Sequence, residues 1–115
     1  MGEMKGQCHC GAVQIIVPFP PLETLQCNCS LCCKSGWRGG YWHPDDVTIQ
    51  ARADHLNQYV QGDKTITLWN CNRCGTHTHW TPRTAPPDRM GLNMKIFPLP
   101  FWKDLPMRTV DGARF

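Results

Sequence analysis

The sequence has 115 residues, the length of a single domain, so we expect residues 1–115 to fold as one unit. Only 22 residues are Leu, Ile, Val or Phe, and a core built from so few is a weak source of stability. The formal net charge of +3 excludes the strongly basic nucleic-acid-binding proteins, and no apolar run is long enough to cross a membrane. We therefore expect neither nucleic acid nor a membrane as a partner, and we look to the eight cysteines for stability.

The first residues lack the apolar run of a signal peptide, which predicts a cytoplasmic protein. In a reducing compartment thiols are kept reduced, and clustered cysteines usually bind a metal ion. A disulfide framework is the alternative interpretation of the same eight residues.

Alternating apolar and polar residues predict several short strands. The alternation occurs, in chain order, at residues 13–17, 47–51, 65–69 and 90–96, with shorter candidates at 41–42 and 58–60. Residues 61–64 predict a turn between two strands, and no segment keeps a helical period over about ten residues. The sequence therefore predicts an all-β domain of about seven or eight short antiparallel strands, with an irregular tail from Phe97.

Two cysteine pairs are alike because a glycine follows each of them. Cys8 and Cys10 precede Gly11, and Cys71 and Cys74 precede Gly75. A close pair presents two sulfurs from one tight turn, and glycine lets the backbone curl because it accepts positive φ. Two such turns together form the tetrahedral S₄ site that structural zinc prefers. We expect this zinc to supply stability on the order of 10 kcal/mol.

A second group, Cys27, Cys29 and Cys32, offers three thiolates from one loop. A zinc ion with three protein ligands keeps an open position, which is typical of catalytic sites. Cys33 is a possible fourth ligand that would close the site and make it structural. Side chains of neighbouring residues in an extended segment point opposite ways, which disfavours Cys33 as a ligand.

These motifs resemble a known family. Residues 6–13, 27–32, 62–64 and 71–75 occur in the order seen in the glutathione-dependent formaldehyde-activating enzymes, also called the centromere protein V family. Residues 89–93 look like the closing strand of that family, and the resemblance runs from Gly6 to Ile96.

The resemblance implies a zinc-bound β fold of tent-like sheets and two Zn²⁺ ions per chain. One ion would be structural, on the four cysteines of the glycine-flanked pairs, and the second would lie on Cys27, Cys29 and Cys32, which act in catalysis as its ligands. The implied activity is that of a carbon–sulfur lyase, the reversible joining of formaldehyde and glutathione into S-hydroxymethylglutathione. The implied partner is a small, glutathione-like thiol. The alternative is a non-catalytic binding module in which both zinc sites are structural.

Other side chains have two interpretations each. His77 and His79 share one face of a strand and are candidates for an acid–base group. Lys34, Arg38 and Arg89 are candidates for binding the carboxylates of an anionic thiol, or are solvated surface charges. Four aromatic residues either line a pocket over the second zinc or pack in the core: Trp37, Tyr41, Trp42 and Trp69.

Overall fold

The computed structural model describes residues 3–60, 64–84 and 86–111. Its strands, in chain order, are β1 (Met4–Gln7), β2 (Gln14–Val17), β3 (Thr24–Cys27), β4 (Gly39–Trp42), β5 (Thr48–Gln50), β6 (Leu56–Tyr59), β7 (Ile66–Cys71), β8 (His77–Pro82), β9 (Met90–Asn93) and β10 (Met107–Val110). One α-helix, α1 (Ser30–Ser35), lies between β3 and β4, and short 3₁₀ turns cover Pro44–Asp46, Ala53–His55, Met94–Ile96 and Leu99–Phe101. The predicted all-β class is confirmed, but the described residues form ten strands where the sequence predicts about seven or eight.

The strands form two sheets. The smaller sheet has the antiparallel order β1-β2-β5, and the larger has the order β10-β3-β4-β9-β8-β7-β6. Every pair in the larger sheet is antiparallel except β10 with β3, which is parallel. The register places Cys71, at the end of β7, opposite Leu56 at the start of β6.

The main core contains apolar residues from both sheets. Ile15 and Val17 of β2 are fully buried and pack in one cluster with Trp42, Met90 and Leu92 of the larger sheet. A second, smaller cluster contains Trp37, Leu68 and Trp80. Two clusters with few large aliphatic residues agree with the thin core that the composition predicts.

The tail from Phe97 differs from the irregular segment that the sequence predicts. It contains a 3₁₀ turn and β10, whose residues pair with β3 from Met107↔Thr24 to Val110↔Cys27. Strand β4 pairs with one side of β3, and β10 pairs with the other side, which would otherwise be an open edge. The residues of β10 are mostly exposed, so no apolar alternation marks this strand in the sequence.

The alternation at residues 90–96 predicts one strand, but β9 ends at Asn93. The Asn93 side chain accepts a hydrogen bond from the Lys95 amide, and the Met94 amide donates to the Arg38 carbonyl at 2.7 Å. These bonds turn the backbone into a 3₁₀ turn while Met94 and Ile96 stay buried.

The sequence also predicts a turn at residues 61–64, but positions 61–63 lie outside the described residues.

Gly91 of β9 leaves the space that the Trp80 side chain occupies. A Cβ atom at position 91 would overlap the Trp80 indole, so only glycine allows this ring to lie across the backbone of the neighbouring strand.

Within the described residues, no helix has the length and apolar character needed to span a membrane.

Candidate functional site

Four cysteines from two turns converge. Cys8 and Cys10 lie in the turn between β1 and β2, while Cys71 ends β7 and Cys74 lies in the turn before β8. Their Sγ atoms all lie within 4.8 Å of one another. The Sγ atom of Cys10 lies 3.7 Å from that of Cys8 and 3.7 Å from that of Cys71. We call this group the tetrathiol cluster.

Each turn of the tetrathiol cluster depends on its glycine. Gly11 has φ +83° and Gly75 has φ +84°, in the region that side chains with a Cβ atom rarely adopt. The Gly11 amide donates to the Cys8 carbonyl at 3.1 Å, and the Gly75 amide donates to the Cys71 carbonyl at 2.8 Å. The sequence pattern of a cysteine pair followed by glycine therefore has its physical reason in these two turns.

The spacing of the sulfurs fits a zinc ion. A tetrahedral S₄ site with Zn–S distances near 2.3 Å has sulfur–sulfur separations of about 3.8 Å. The two measured separations of 3.7 Å agree with that value. The donor set and its spacing therefore suit a tetrahedrally bound metal ion such as zinc.

The thiols of the tetrathiol cluster differ in acidity. Burial acts to raise the pKa of Cys74, but hydrogen bonds from Thr76 outweigh it and lower the pKa to about 5. The backbone hydrogen bond at Ala12 acts to lower the pKa of Cys10, but desolvation and the neighbouring thiols outweigh it and raise the pKa to about 11. Thiolates this close together repel one another, so a divalent cation is needed to stabilise all four in the ionised form.

A second cluster lies where β3 meets α1. The Sγ atoms of Cys27, Cys29 and Cys32 lie within 4.8 Å of one another, and we call them the trithiol cluster. Cys27 ends β3, and Cys29 is the N-cap of α1, its Sγ accepting a hydrogen bond from the Cys32 amide at 3.4 Å. The Cys29 amide in turn donates to the Cys27 Sγ atom at 3.5 Å. Three soft sulfur donors in this arrangement are suited to zinc.

Among the described residues, Cys33 does not belong to the trithiol cluster. Its side chain is exposed, and its thiol donates to the Cys27 carbonyl at 3.9 Å. The sequence predicts an extended segment here, whereas residues 30–35 form a helix that begins at the Cys29 cap and ends at Gly36, which has φ +69°. A helix also separates the side chains of consecutive residues, so Cys32 turns inward and Cys33 outward.

An apolar pocket of about 210 Å³ adjoins the trithiol cluster. Cys27 and Cys32 form part of its wall, together with three aromatic residues, Trp37, Tyr41 and Trp80. Its aliphatic lining consists of Leu25, Leu31, Ile66, Leu68 and Val110. Ser35 also lines the pocket, and its Oγ atom is buried with no hydrogen-bond partner among the described residues.

The aromatic residues that the sequence suggested for a pocket divide into two groups. Trp37 and Tyr41 line it. Trp42 packs in the main core and donates to the Phe19 carbonyl, while Trp69 stacks on a histidine and donates to Thr81. The sequence patterns do not single out Trp80 as a pocket residue, because it is the pairing of β7 with β8 that places it opposite Leu68.

The three candidate cations occupy different environments. Arg38 lies over the Trp102 ring and donates to the Thr24 hydroxyl at 2.9 Å, which gives it a structural role. Arg89 lies over the Tyr41 ring at 4.5 Å and forms no ion pair with a carboxylate among the described residues. Lys34 is exposed on α1.

The two candidate histidines do not line the apolar pocket as the structure describes it. His79 is buried, lies 2.8 Å from the Thr78 hydroxyl through its Nδ1 atom, and stacks on Trp69. Burial lowers the pKa of His79 to about 4, so the ring is neutral at neutral pH. The environment of His79 is therefore that of a structural residue.

The buried His79 is expected to make the fold less stable in acid. Its pKa falls from an ordinary 6.5 to about 4, so between these values the unfolded chain binds a proton that the folded chain does not. The free energy of unfolding should decrease by about 3 kcal/mol as pH falls through this window, and the loss should level off below it.

Denaturant unfolding of the wild type and of His79→Gln at several pH values measures this contribution. Acid also protonates the cysteines, so the difference between the two pH profiles is the quantity of interest. His43→Gln provides the control, since this side chain is exposed and the variant tests whether the change of profile is specific to the buried position. Identical pH profiles for the wild type and His79→Gln would show that this histidine does not cause the loss of stability in acid.

Comparison with known proteins agrees with this geometry. The family model described as glutathione-dependent formaldehyde-activating enzyme matches residues 3–98. A curated Halomonas elongata protein named "Putative glutathione-dependent formaldehyde-activating enzyme" is 46% identical over 82 residues, which cover 64% of this chain and 52% of that protein. This chain thus spans about half the length of that relative.

A solved structure has the same fold. The crystal structure of a Rhodobacter sphaeroides protein, a structural genomics target, matches with a TM-score of 0.74 and 32% sequence identity. The match covers 91% of this chain and 100% of the other. With the family model matching most of the sequence, the chain belongs to the glutathione-dependent formaldehyde-activating enzyme family.

Proposed function

We propose that this protein is a zinc-dependent, carbon–sulfur lyase-like enzyme that acts on a thiol adduct such as S-hydroxymethylglutathione. One observation carries the proposal: the trithiol cluster forms part of the wall of a pocket, and the described residues supply it with no fourth cysteine ligand. A closed structural site would need four protein ligands.

In this proposal the two clusters have different roles and bind two zinc ions per chain. Cys8, Cys10, Cys71 and Cys74 hold a structural ion, and the trithiol cluster holds the second. Zinc at the second position would supply a Lewis acid that favours the thiolate form of an incoming sulfur and polarises a carbonyl group.

The reaction needs no oxidant or reductant. In the direction of cleavage, the carbon–sulfur bond of the adduct breaks and its electron pair goes to the sulfur. The adduct's hydroxyl group loses its proton to water as the carbonyl group forms, and the released thiolate takes up a proton from water, so no net proton is released. In the direction of synthesis, the thiol gives its proton to water, the thiolate attacks the carbonyl carbon to form the carbon–sulfur bond, and the electron pair of the carbonyl π bond goes to the oxygen, which takes up a proton from water.

The residues around the trithiol cluster position the adduct and limit water. Cys27 and Cys32 lie in the pocket wall, so a sulfur bound beside them places its adjacent carbon against the apolar lining. Trp37, Trp80 and Leu68 are each at least nine-tenths buried and form a rigid surface there. The Tyr41 hydroxyl stays protonated because burial raises its pKa, which leaves it able to donate a hydrogen bond.

Exchange NMR with labelled formaldehyde and glutathione tests the proposed activity. The protein should increase the rate at which free formaldehyde and its glutathione adduct interconvert, and prior removal of zinc with a chelator should abolish the increase. Cys33→Ala is the matched control, because this cysteine adjoins the trithiol cluster without belonging to it, and it should keep the wild-type rate. No increase with any thiol–aldehyde pair would overturn the proposal and favour a non-catalytic zinc module.

A further inference from the structure

The apolar pocket offers no partner for a charge. None of the described residues that line it is Lys, Arg, His, Asp or Glu, and the polar side-chain groups of these residues are the two thiols, the hydroxyls of Ser35 and Tyr41 and the indole N–H groups of the tryptophans. An unpaired charge in such a place carries a large desolvation cost. Glutathione has two carboxylates and an ammonium group at neutral pH, so these parts of a thiol adduct have no place in the pocket.

The size of the pocket fits a compact hydrocarbon group. Cavities of about 150 Å³ lined by aliphatic and aromatic side chains bind benzene, and this pocket measures about 210 Å³. The hydroxymethyl group that formaldehyde contributes is too small to fill it. A pocket left empty above Trp37 and Trp80 would contribute nothing to the binding of an adduct.

Polar partners for the rest of a thiol lie on the other side of Tyr41. This residue also lines a second, more open cavity of about 540 Å³, whose lining includes His43, Asp88 and Arg89. The Arg89 guanidinium lies over the Tyr41 ring and is not ion-paired among the described residues, so it is available to a carboxylate. Tyr41 thus lies between the apolar pocket, which adjoins the trithiol cluster, and a polar cavity that is one residue further away.

We infer that the apolar pocket binds the hydrocarbon substituent of an aldehyde, and that the substrate class is the adduct of a polar thiol with an aryl or branched-alkyl aldehyde. This inference rests on the proposed function. The sulfur of the adduct carries the charged thiol body, so the uncharged substituent is the one on the adjacent carbon. Cleavage breaks the same carbon–sulfur bond and releases the apolar aldehyde and the thiol.

Binding of two unreactive thioethers tests the pocket without turnover. S-methylglutathione mimics the formaldehyde adduct, and S-phenethylglutathione mimics the adduct of phenylacetaldehyde. Because Trp37 and Trp80 line the pocket, their fluorescence reports binding. Burial of the phenyl group should make the phenethyl compound bind about 30-fold more tightly, and equal affinities would overturn the inference.

A pair of isoleucine variants locates the effect. Ile66→Trp fills the pocket from a half-buried position in β7 and should reduce the ratio of the two affinities to about 3-fold or less. Ile49→Trp places the same ring on β5 of the other sheet and should keep the wild-type ratio. An Ile66→Trp protein with the wild-type ratio would contradict the assignment, and the wild-type comparison stands even if this variant does not fold.

Kinetics with the actual adducts separate this inference from the proposed function. Glutathione with phenylacetaldehyde should be a better substrate than glutathione with formaldehyde. If formaldehyde is turned over and the two aldehydes are equivalent, only the inference on the substituent fails. If the better substrate is instead the formaldehyde adduct of an apolar thiol, the pocket binds the thiol and the inference is overturned. If no adduct of any kind is turned over, the proposed function itself fails.

Discussion

Cys10→Ala is expected to leave the protein largely unfolded at room temperature. Cys10 is exposed, so the substitution removes little packing and leaves no cavity in the core. Its effect should come from the loss of one of four zinc ligands. Structural zinc contributes on the order of 10 kcal/mol to small domains, and whole domains are stable by about 5–15 kcal/mol, so the loss of this ion removes a contribution as large as the whole stability and should leave most of the molecules unfolded.

Chemical denaturation of Cys10→Ala beside Cys33→Ala measures this loss. Both cysteines are exposed, but only Cys10 belongs to the tetrathiol cluster. The Cys33 variant should unfold at the wild-type denaturant concentration, and a chelator should bring the wild type close to the Cys10 variant. If both variants are as stable as the wild type, the tetrathiol cluster does not stabilise the fold through a metal ion.

Cys29→Ser is expected to abolish activity and remove one zinc ion while most of the fold remains. Cys29 does two things in the structure: its Sγ atom belongs to the trithiol cluster, and it caps α1 by accepting from the Cys32 amide. Serine preserves the cap, since its hydroxyl is among the preferred N-cap acceptors, but it does not supply a thiolate. Turnover should fall below detection.

Cys29→Ala separates the two roles of this residue. Alanine removes the cap as well as the thiolate, and loss of an N-cap costs about 1 kcal/mol. The two variants should therefore be equally inactive and differ in stability by about that amount. Metal analysis and denaturant unfolding of both measure the difference. Our division of the two clusters is contradicted if Cys29→Ser is as unfolded as Cys10→Ala.

The two cysteine clusters can be predicted from a single sequence, because the spacing of the cysteines is a local pattern. A cysteine pair followed by glycine has a local physical meaning, because Gly11 and Gly75 adopt positive φ and close each turn. The grouping of Cys27 with Cys29 and Cys32 is likewise local in sequence. Most of the strands also follow from local alternation, as β2, β7 and β9 show.

Features that depend on distant partners were not predictable. The strand β10 has mostly exposed residues and exists because its backbone pairs with β3, some eighty positions earlier. Helix α1 is only six residues long, too short to show a period, and its boundary signals are a cysteine cap and Gly36. The apolar pocket draws its wall from β3, α1, β4, β7, β8 and β10, so no local pattern marks it.

A crystal structure of the zinc-loaded protein, with anomalous data at the zinc edge, tests the central claim most directly. Two anomalous peaks are expected, one within the tetrathiol cluster and one within the trithiol cluster. The second metal should have three sulfur ligands and a water molecule or a substrate atom in its fourth position, facing the apolar pocket. A single peak, or a second metal closed by the sulfur of Cys33, would contradict the account.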